Sequence, residues 1–135
     1  MIDLGALRGL LAAELDGRTI GLGVHARGID GAFQPPVAVL GQPDVEFDVE
    51  PCHVHRYTLP VAVAVGRPGF DEAGTQAELE GRWLEVAGAL QAVVDEGVLD
   101  ALGVVDVTLT RSDAGSFTVQ GQSYPAYSIT IEIVG

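Results

Sequence analysis

At 135 residues the chain is one domain, long enough to bury a hydrophobic core and too short to divide convincingly into two. Nineteen acidic residues face seven basic ones, all arginine, for a formal net charge of −12, which leaves no basic patch for the counterion release that drives nucleic-acid binding. No apolar run approaches the roughly 20 residues of a membrane helix, no basic-then-apolar targeting signal opens the chain, and the single Cys52 cannot form an internal disulfide, as expected for a reducing cytoplasm.

Asp3 is placed to cap a first helix in which Leu4, Leu7, Leu10, Leu11 and Leu15 recur at three- and four-residue spacing, with Gly17 as its stop. Residues 19–26 form a short strand, and the Gly- and Pro-rich stretch 27–36 an exposed loop. Residues 37–40 are a short apolar strand closed by Gly41-Gln42-Pro43. Residues 44–50 then alternate strictly, with Val45, Phe47 and Val49 against Asp44, Glu46, Asp48 and Glu50, so one face is buried and the other anionic.

Residues 55–66 place Tyr57, Leu59, Val61, Val63 and Val65 on one face and Thr58, Pro60, Ala62 and Ala64 on the other, a strand covered on both sides. Pro60 cannot donate to a ladder, so this strand lies at an edge there or carries a bulge. From 71 to 96 the period turns helical, with Leu79, Trp83, Val86, Ala87, Leu90, Val93 and Val94 as one stripe and Glu78 with Arg82 as an outer i,i+4 pair. Gly97 and Gly103 bracket a short turn or helical piece at 98–102. Val105, Val107 and Leu109 alternate in the next strand, Asp113-Ala114-Gly115 reads as a hairpin turn into 116–120, and Gly121-Gln122 as a second one. In the last strand Tyr127, Ile129, Ile131 and Ile133 face inward. The order helix, four strands, helix, three strands is that of an α+β domain: a largely antiparallel or mixed sheet of about six to seven strands with two main helices packed on one face.

Chemistry is sparse. Cys52-His53-Val54-His55 holds three potential ligands within four residues, but a closed zinc site needs a second cluster and the only other histidine is His25. A Cys–His nucleophile would need the same short segment to supply nucleophile, base and orienting group together. The carboxylates of 44–50 share a face and suit magnesium or acid–base work in principle, yet no phosphate-cradling loop accompanies them, and four like charges at two-residue spacing fit a guarded or subunit-facing strand better. Gly21, Gly23 and Gly28 do not make the dinucleotide fingerprint, and neither a P-loop nor a serine elbow is present. No catalytic residue, metal ligand or cofactor is assigned.

A whole-length resemblance is more informative. The leucine-rich first helix, the segment Gln34-Pro35-Pro36-Val37-Ala38-Val39-Leu40-Gly41-Gln42-Pro43, Val45-Glu46-Phe47-Asp48-Val49, and Tyr57-Thr58-Leu59-Pro60-Val61-Ala62-Val63-Ala64-Val65-Gly66-Arg67 together resemble tail terminator proteins of siphophages infecting actinobacteria. A helix, Val105-Asp106-Val107, a turn containing Tyr124 and the closing Ile129-Thr130-Ile131-Glu132-Ile133 continue the order. Each piece alone is unspecific; their order and spacing carry the similarity, which does not extend to Cys52-His53-Val54-His55.

The resemblance implies a non-enzymatic virion protein of the tail–neck region, assembled in the host cytoplasm. It would be a homo-hexameric ring that binds the last ring of the tail tube protein, stops its growth and offers its other side to the head–tail connector or a head-completion protein. DNA would pass through without specific binding, helped by 6 × −12 = −72 formal charges per ring. Ring closure needs unlike surfaces on the two sides of each subunit. Exposure logic nominates Phe33, unless it tucks into its own core, and the arginines Arg27, Arg56 and Arg67 facing Asp44, Glu46 and Asp48 of a neighbour. The rival expectations are another head–tail completion protein or a tube subunit, a small metal- or thiol-dependent enzyme using Cys52, His53 and His55, and a binding module unrelated to phage.

Overall fold

A computed structural model describes residues 2–26, 36–49, 54–66, 72–119 and 121–135, with backbone alone for Asp48, Val49, Glu72 and Val119. The element order is α1 (Leu4–Arg18), β1 (Gly23–His25), β2 (Val37–Leu40), β3 (Asp44–Val49), β4 (Val54–Ala64), α2 (Glu72–Asp95), a 3₁₀ helix (Val98–Leu102), β5 (Asp106–Val119) and β6 (Gln122–Val134). Two helices lie on one face of a six-stranded mixed sheet ordered β1-β2-β4-β6-β5, with β3 also paired to β4. The α+β expectation holds. The expected loop 27–36, Arg27, Phe33, Cys52, His53 and Arg67 fall outside the described residues, Pro36 excepted.

Helix α1 begins as its sequence requires: Asp3 Oδ1 accepts the Ala6 N–H at 3.2 Å, and Leu7, Leu11 and Leu15 turn one buried stripe to the sheet. Gly17 does not stop it. The helix runs through Arg18, and the Thr19 hydroxyl donates to the Leu15 carbonyl at 2.7 Å, occupying one of the carbonyls the helix end leaves open. The chain then turns at Gly21, where φ is 70°, a conformation that costs glycine little. Helix α2 buries Leu79, Val86, Ala89, Leu90 and Val93, and Trp83 and Ala87 pack half-exposed at the margin of the same core. The expected Glu78–Arg82 pair is replaced by Arg82–Glu85 at 3.3 Å, because both side chains are drawn to the backbone of Ile20.

β4 is the centre of the sheet. Tyr57, Leu59, Val61 and Val63 are fully buried under the helices together with Ile129, Ile131 and Ile133 of β6. Its other face is only half-buried from Arg56 to Ala62, so the expectation of cover on both sides holds at Ala64 and fails along the rest. β6 pairs with one edge of β4 from Arg56 to Ala64, while β2 and β3 share the other, meeting residues 61–64 and 54–58 respectively. The proline therefore sits in an interior strand, at a bulge: Gly41, Gln42 and Pro43 span a gap opposite only Leu59 and Pro60. In an extended strand a residue's N–H and C=O point to the same edge. The Pro60 carbonyl accepts the Gly41 N–H at 2.8 Å, so the N–H that proline lacks would have pointed into that gap.

The C-terminal third is one long hairpin. Asp113-Ala114-Gly115 is no turn; Asp106–Val119 is a single strand in which Asp113, Ala114 and Gly115 pair with Ser128, Tyr127 and Ala126. Gly121, with φ 79°, supplies the turn instead. Among the described residues the sheet thus has six strands, and the irregularity on β5 is a shift of register between Leu109 and Arg111. Residues 116–119 and 122–125 continue past the pairing of Ala64 with Ala126 and form an arm that outruns β4.

Candidate functional site: an assembly surface

The helix layer covers one face of the sheet and leaves the other without one among the described residues. Strand alternation puts Thr58, Pro60 and Ala62 of β4, Ser128 and Thr130 of β6 and Thr108 of β5 on this open face. These are short side chains, all half-exposed or exposed. Around them the same alternation sets Asp44, Glu46, Asp106, Asp113 and Glu132 against Arg56 and Arg111, so the rim is net acidic.

Arg56 is engaged within its own chain. Its Nη1 lies 3.2 Å from Glu46 Oε2 on β3, and its Nε lies 3.2 Å from Glu132 Oε1 on β6, close enough for an ion pair though not aligned for a hydrogen bond. Of the expected interface residues, the structure therefore brings Glu46 and Arg56 together within the one chain, with Asp44 two residues away on the same face. Such part-exposed pairs are worth roughly 0–1 kcal/mol, and they leave Arg56 less available to a neighbour. Of Asp48 only the backbone, in β3, is described. Arg111 is held similarly: a 2.7 Å bond to Asp113 keeps its guanidinium pKa raised.

His55, the one described residue of the Cys52-His53-Val54-His55 segment besides Val54, is built into the sheet. Its backbone N–H donates to the Gly135 carbonyl at 2.9 Å, and its ring meets Phe47 edge-on at 5.2 Å. Tyr57 beyond it is fully buried, and its hydroxyl accepts the Ile2 N–H at 3.1 Å, tying the start of the chain to the sheet. Among the described residues no three His, Cys, Asp or Glu side chains gather as a metal-binding group.

Two features escaped the sequence reading. The first is a groove of about 510 Å³ between α2 and the hairpin, lined by Glu80, Trp83, Leu84, Ser112 and Tyr127. Within it the Trp83 indole N–H donates to Ser112 Oγ at 2.8 Å, and the Trp83 and Tyr127 rings lie 6.0 Å apart. The second is a clamp on the α1–β1 connection: Arg82 Nη1 donates to the Ile20 carbonyl at 2.7 Å and Glu85 Oε1 accepts the Ile20 N–H at 3.0 Å. The clamp fixes the backbone of Ile20 while leaving its side chain 87% exposed.

No protein-family model matches the chain, and no curated protein matches it. No described helix is long and apolar enough to cross a membrane.

Proposed function

We propose that this chain is a structural assembly subunit of a long-tailed phage particle: a terminator-like protein that caps the tail tube as a ring, ends tube polymerisation and presents its far side to the head connector. The observation that carries the reading is the one-sided layering. A sheet with helices on one face and, on the other, short Thr, Ser, Ala and Pro side chains beside a small apolar cluster of Val37, Val39, Ala64 and Ala126 under Phe117 and Tyr124 offers a surface for stacking against another protein ring. The acidic rim suits a ring whose channel must let DNA slide past, since like charge prevents phosphate from adhering. The resemblance along the chain points the same way, and the head-side partner would be a connector or head-completion protein.

The test is to add purified protein to uncapped tail tubes and image them by negative stain. Single-ring caps on tube ends, with tubes that no longer lengthen when tube protein is supplied, are the expected result. Long cylinders of this chain alone would make it a tube subunit instead, and tubes that keep growing uncapped would overturn the reading.

A further inference from the structure

We propose that copies of this chain join head to tail, the β1 end of one sheet against the β5 end of the next, with Ile20 of one copy seated in the Trp83–Leu84 groove of its neighbour. This rests on the ring reading and names the surfaces that would close the ring. Three observations converge on it.

The first is topological. Strands β1 and β5 end the path of the sheet, and among the described residues nothing pairs with their outer edges. The two edges are unlike, one of three residues and one of fourteen, as a head-to-tail contact requires.

The second is charge. Two copies of a chain carrying −12 repel overall, so contact between them is least opposed where the local surface carries few charges. The longest run without Asp, Glu, Lys or Arg is 114–131, the outer half of the hairpin, and a further run, 19–26, contains β1. The uncharged runs 57–66 and 86–94 are spent largely on the buried core of β4 and α2. By contrast 114–118 and, Leu22 excepted, 19–26 remain exposed or half-exposed, at opposite ends of the sheet. A basic partner would be drawn first to the acidic rim, whereas a partner of the same sign, which another copy is, is least opposed at these neutral ends.

The third is the placement of exposed apolar side chains. Ile20 is 87% exposed and Leu84 66% exposed. They lie on opposite flanks of α2, because Arg82 and Glu85 hold Ile20 while Leu84 points about 200° around the helix from Arg82. Both sit in the helix layer, Ile20 ahead of β1 and Leu84 beside β5. If the β1 edge of one copy is laid along the β5 edge of another with both helix layers on the same side, Ile20 comes over the groove. Edge contact and apolar contact are then satisfied by one arrangement.

The test uses two full-length variants, Ile20→Lys and Leu84→Glu, both at exposed positions, with unchanged thermal unfolding as the check on folding. Self-association is read by sedimentation velocity across a concentration series. Each variant alone is expected to associate at least tenfold more weakly than wild type. An equal mixture of the two is expected to recover, because every contact in an alternating assembly is either the original Ile20–Leu84 pair or the introduced lysine against the introduced glutamate. The proposal is overturned if wild type remains monomeric at its highest soluble concentration, if either variant associates as wild type does, or if the mixture fails to recover. Rings that cap no tube would sink the tube-capping reading and leave this one standing; rings undiminished in the single variants would do the reverse.

Discussion

The junction of β2 and β3 against Pro60 gives the sharpest test of how the sheet is held. A Cβ added at Gly41 would lie 2.8 Å from Pro60 Cγ and 3.4 Å from the Pro60 carbonyl oxygen, and neither the proline ring nor the central strand can retreat far. Overpacking of this kind costs about 1–3 kcal/mol, and replacing glycine returns about 0.4–1 kcal/mol by restricting the unfolded chain. Gly41→Ala should therefore destabilise by roughly 1–2 kcal/mol, a fall in Tm of about 3–8 °C for a domain of this size. Urea unfolding followed by the fluorescence of Trp83, the only tryptophan, measures it. In a Pro60→Ala background the ring atoms are gone and the cost of Gly41→Ala should drop by about 1 kcal/mol or more, a coupling well above the error of such cycles. If Gly41→Ala costs the same in both backgrounds, the ring is not what demands glycine there, and the account of the bulge fails.

Gly66, with φ 75° and Thr75 Cγ2 at 2.6 Å from where a Cβ would stand, carries two separable constraints. Gly66→Ala should cost about 2 kcal/mol or more by chemical denaturation, and adding Thr75→Ala should recover only the overlap, leaving the roughly 1–2 kcal/mol of the left-handed backbone. Arg18 grips Glu96 through bonds of 2.8 and 2.9 Å, and this hydrogen bonding holds the Glu96 carboxyl below its usual range. Because the folded pKa is the lower one, the stabilisation is complete above the ordinary glutamate value of about 4.3 and disappears as pH falls through the folded pKa. An NMR titration of Glu96 should show its pKa rising toward that value in Arg18→Ala, and an unmoved titration would remove the pairing. Val45→Ser, at the edge of the main core, should lower the unfolding midpoint by more than Phe47→Ser, whose parent ring is already 63% exposed; equal losses would contradict the packing described for β3.

The elements that proved legible in the sequence are those whose signals are local. The Asp3 cap, the leucine stripe of α1, the long α2 and the inward series Ile129, Ile131 and Ile133 all follow from spacing alone, and the structure has them. The turn assigned to Asp113-Ala114-Gly115 failed because those residue types permit a turn without requiring one. Once residues 111–119 each have a partner on β6, the ladder bonds decide the matter. Pro60 in a strand requires a break in one of its ladders, but that the break falls between β2 and β3 while the ladder to β6 runs on is a property of the fold. The Arg82 and Glu85 clamp was hidden for the same reason. It acts on backbone more than 60 residues away, and no i,i+4 rule can point to it.

The same distinction bears on where an assembly surface is to be sought. Alternation marks Val45, Phe47, Val105, Val107 and Leu109 as one kind of residue, all expected to be buried. The fold separates them: Val45, Val107 and Leu109 pack on the core, while Phe47 and Val105 remain 63% and 73% exposed. Both groups lie on or beside β3 and β5, the outer strands of the sheet, where alternation alone does not decide burial. A contiguous apolar patch marks an interaction surface, whereas a single exposed apolar side chain is ordinary, so position decides what such a residue can mean. Phe47, Val105, Ile20 and Leu84 are the large apolar side chains most exposed among the described residues, and the first two belong to β3 and the start of β5, the last two to the flanks of α2. Ile20 and Leu84 flank the helix layer toward the two edges of the sheet left unpaired among the described residues, and that position directs mutagenesis to the ends of the sheet ahead of the Arg56–Glu46 pair, which is already made within one chain.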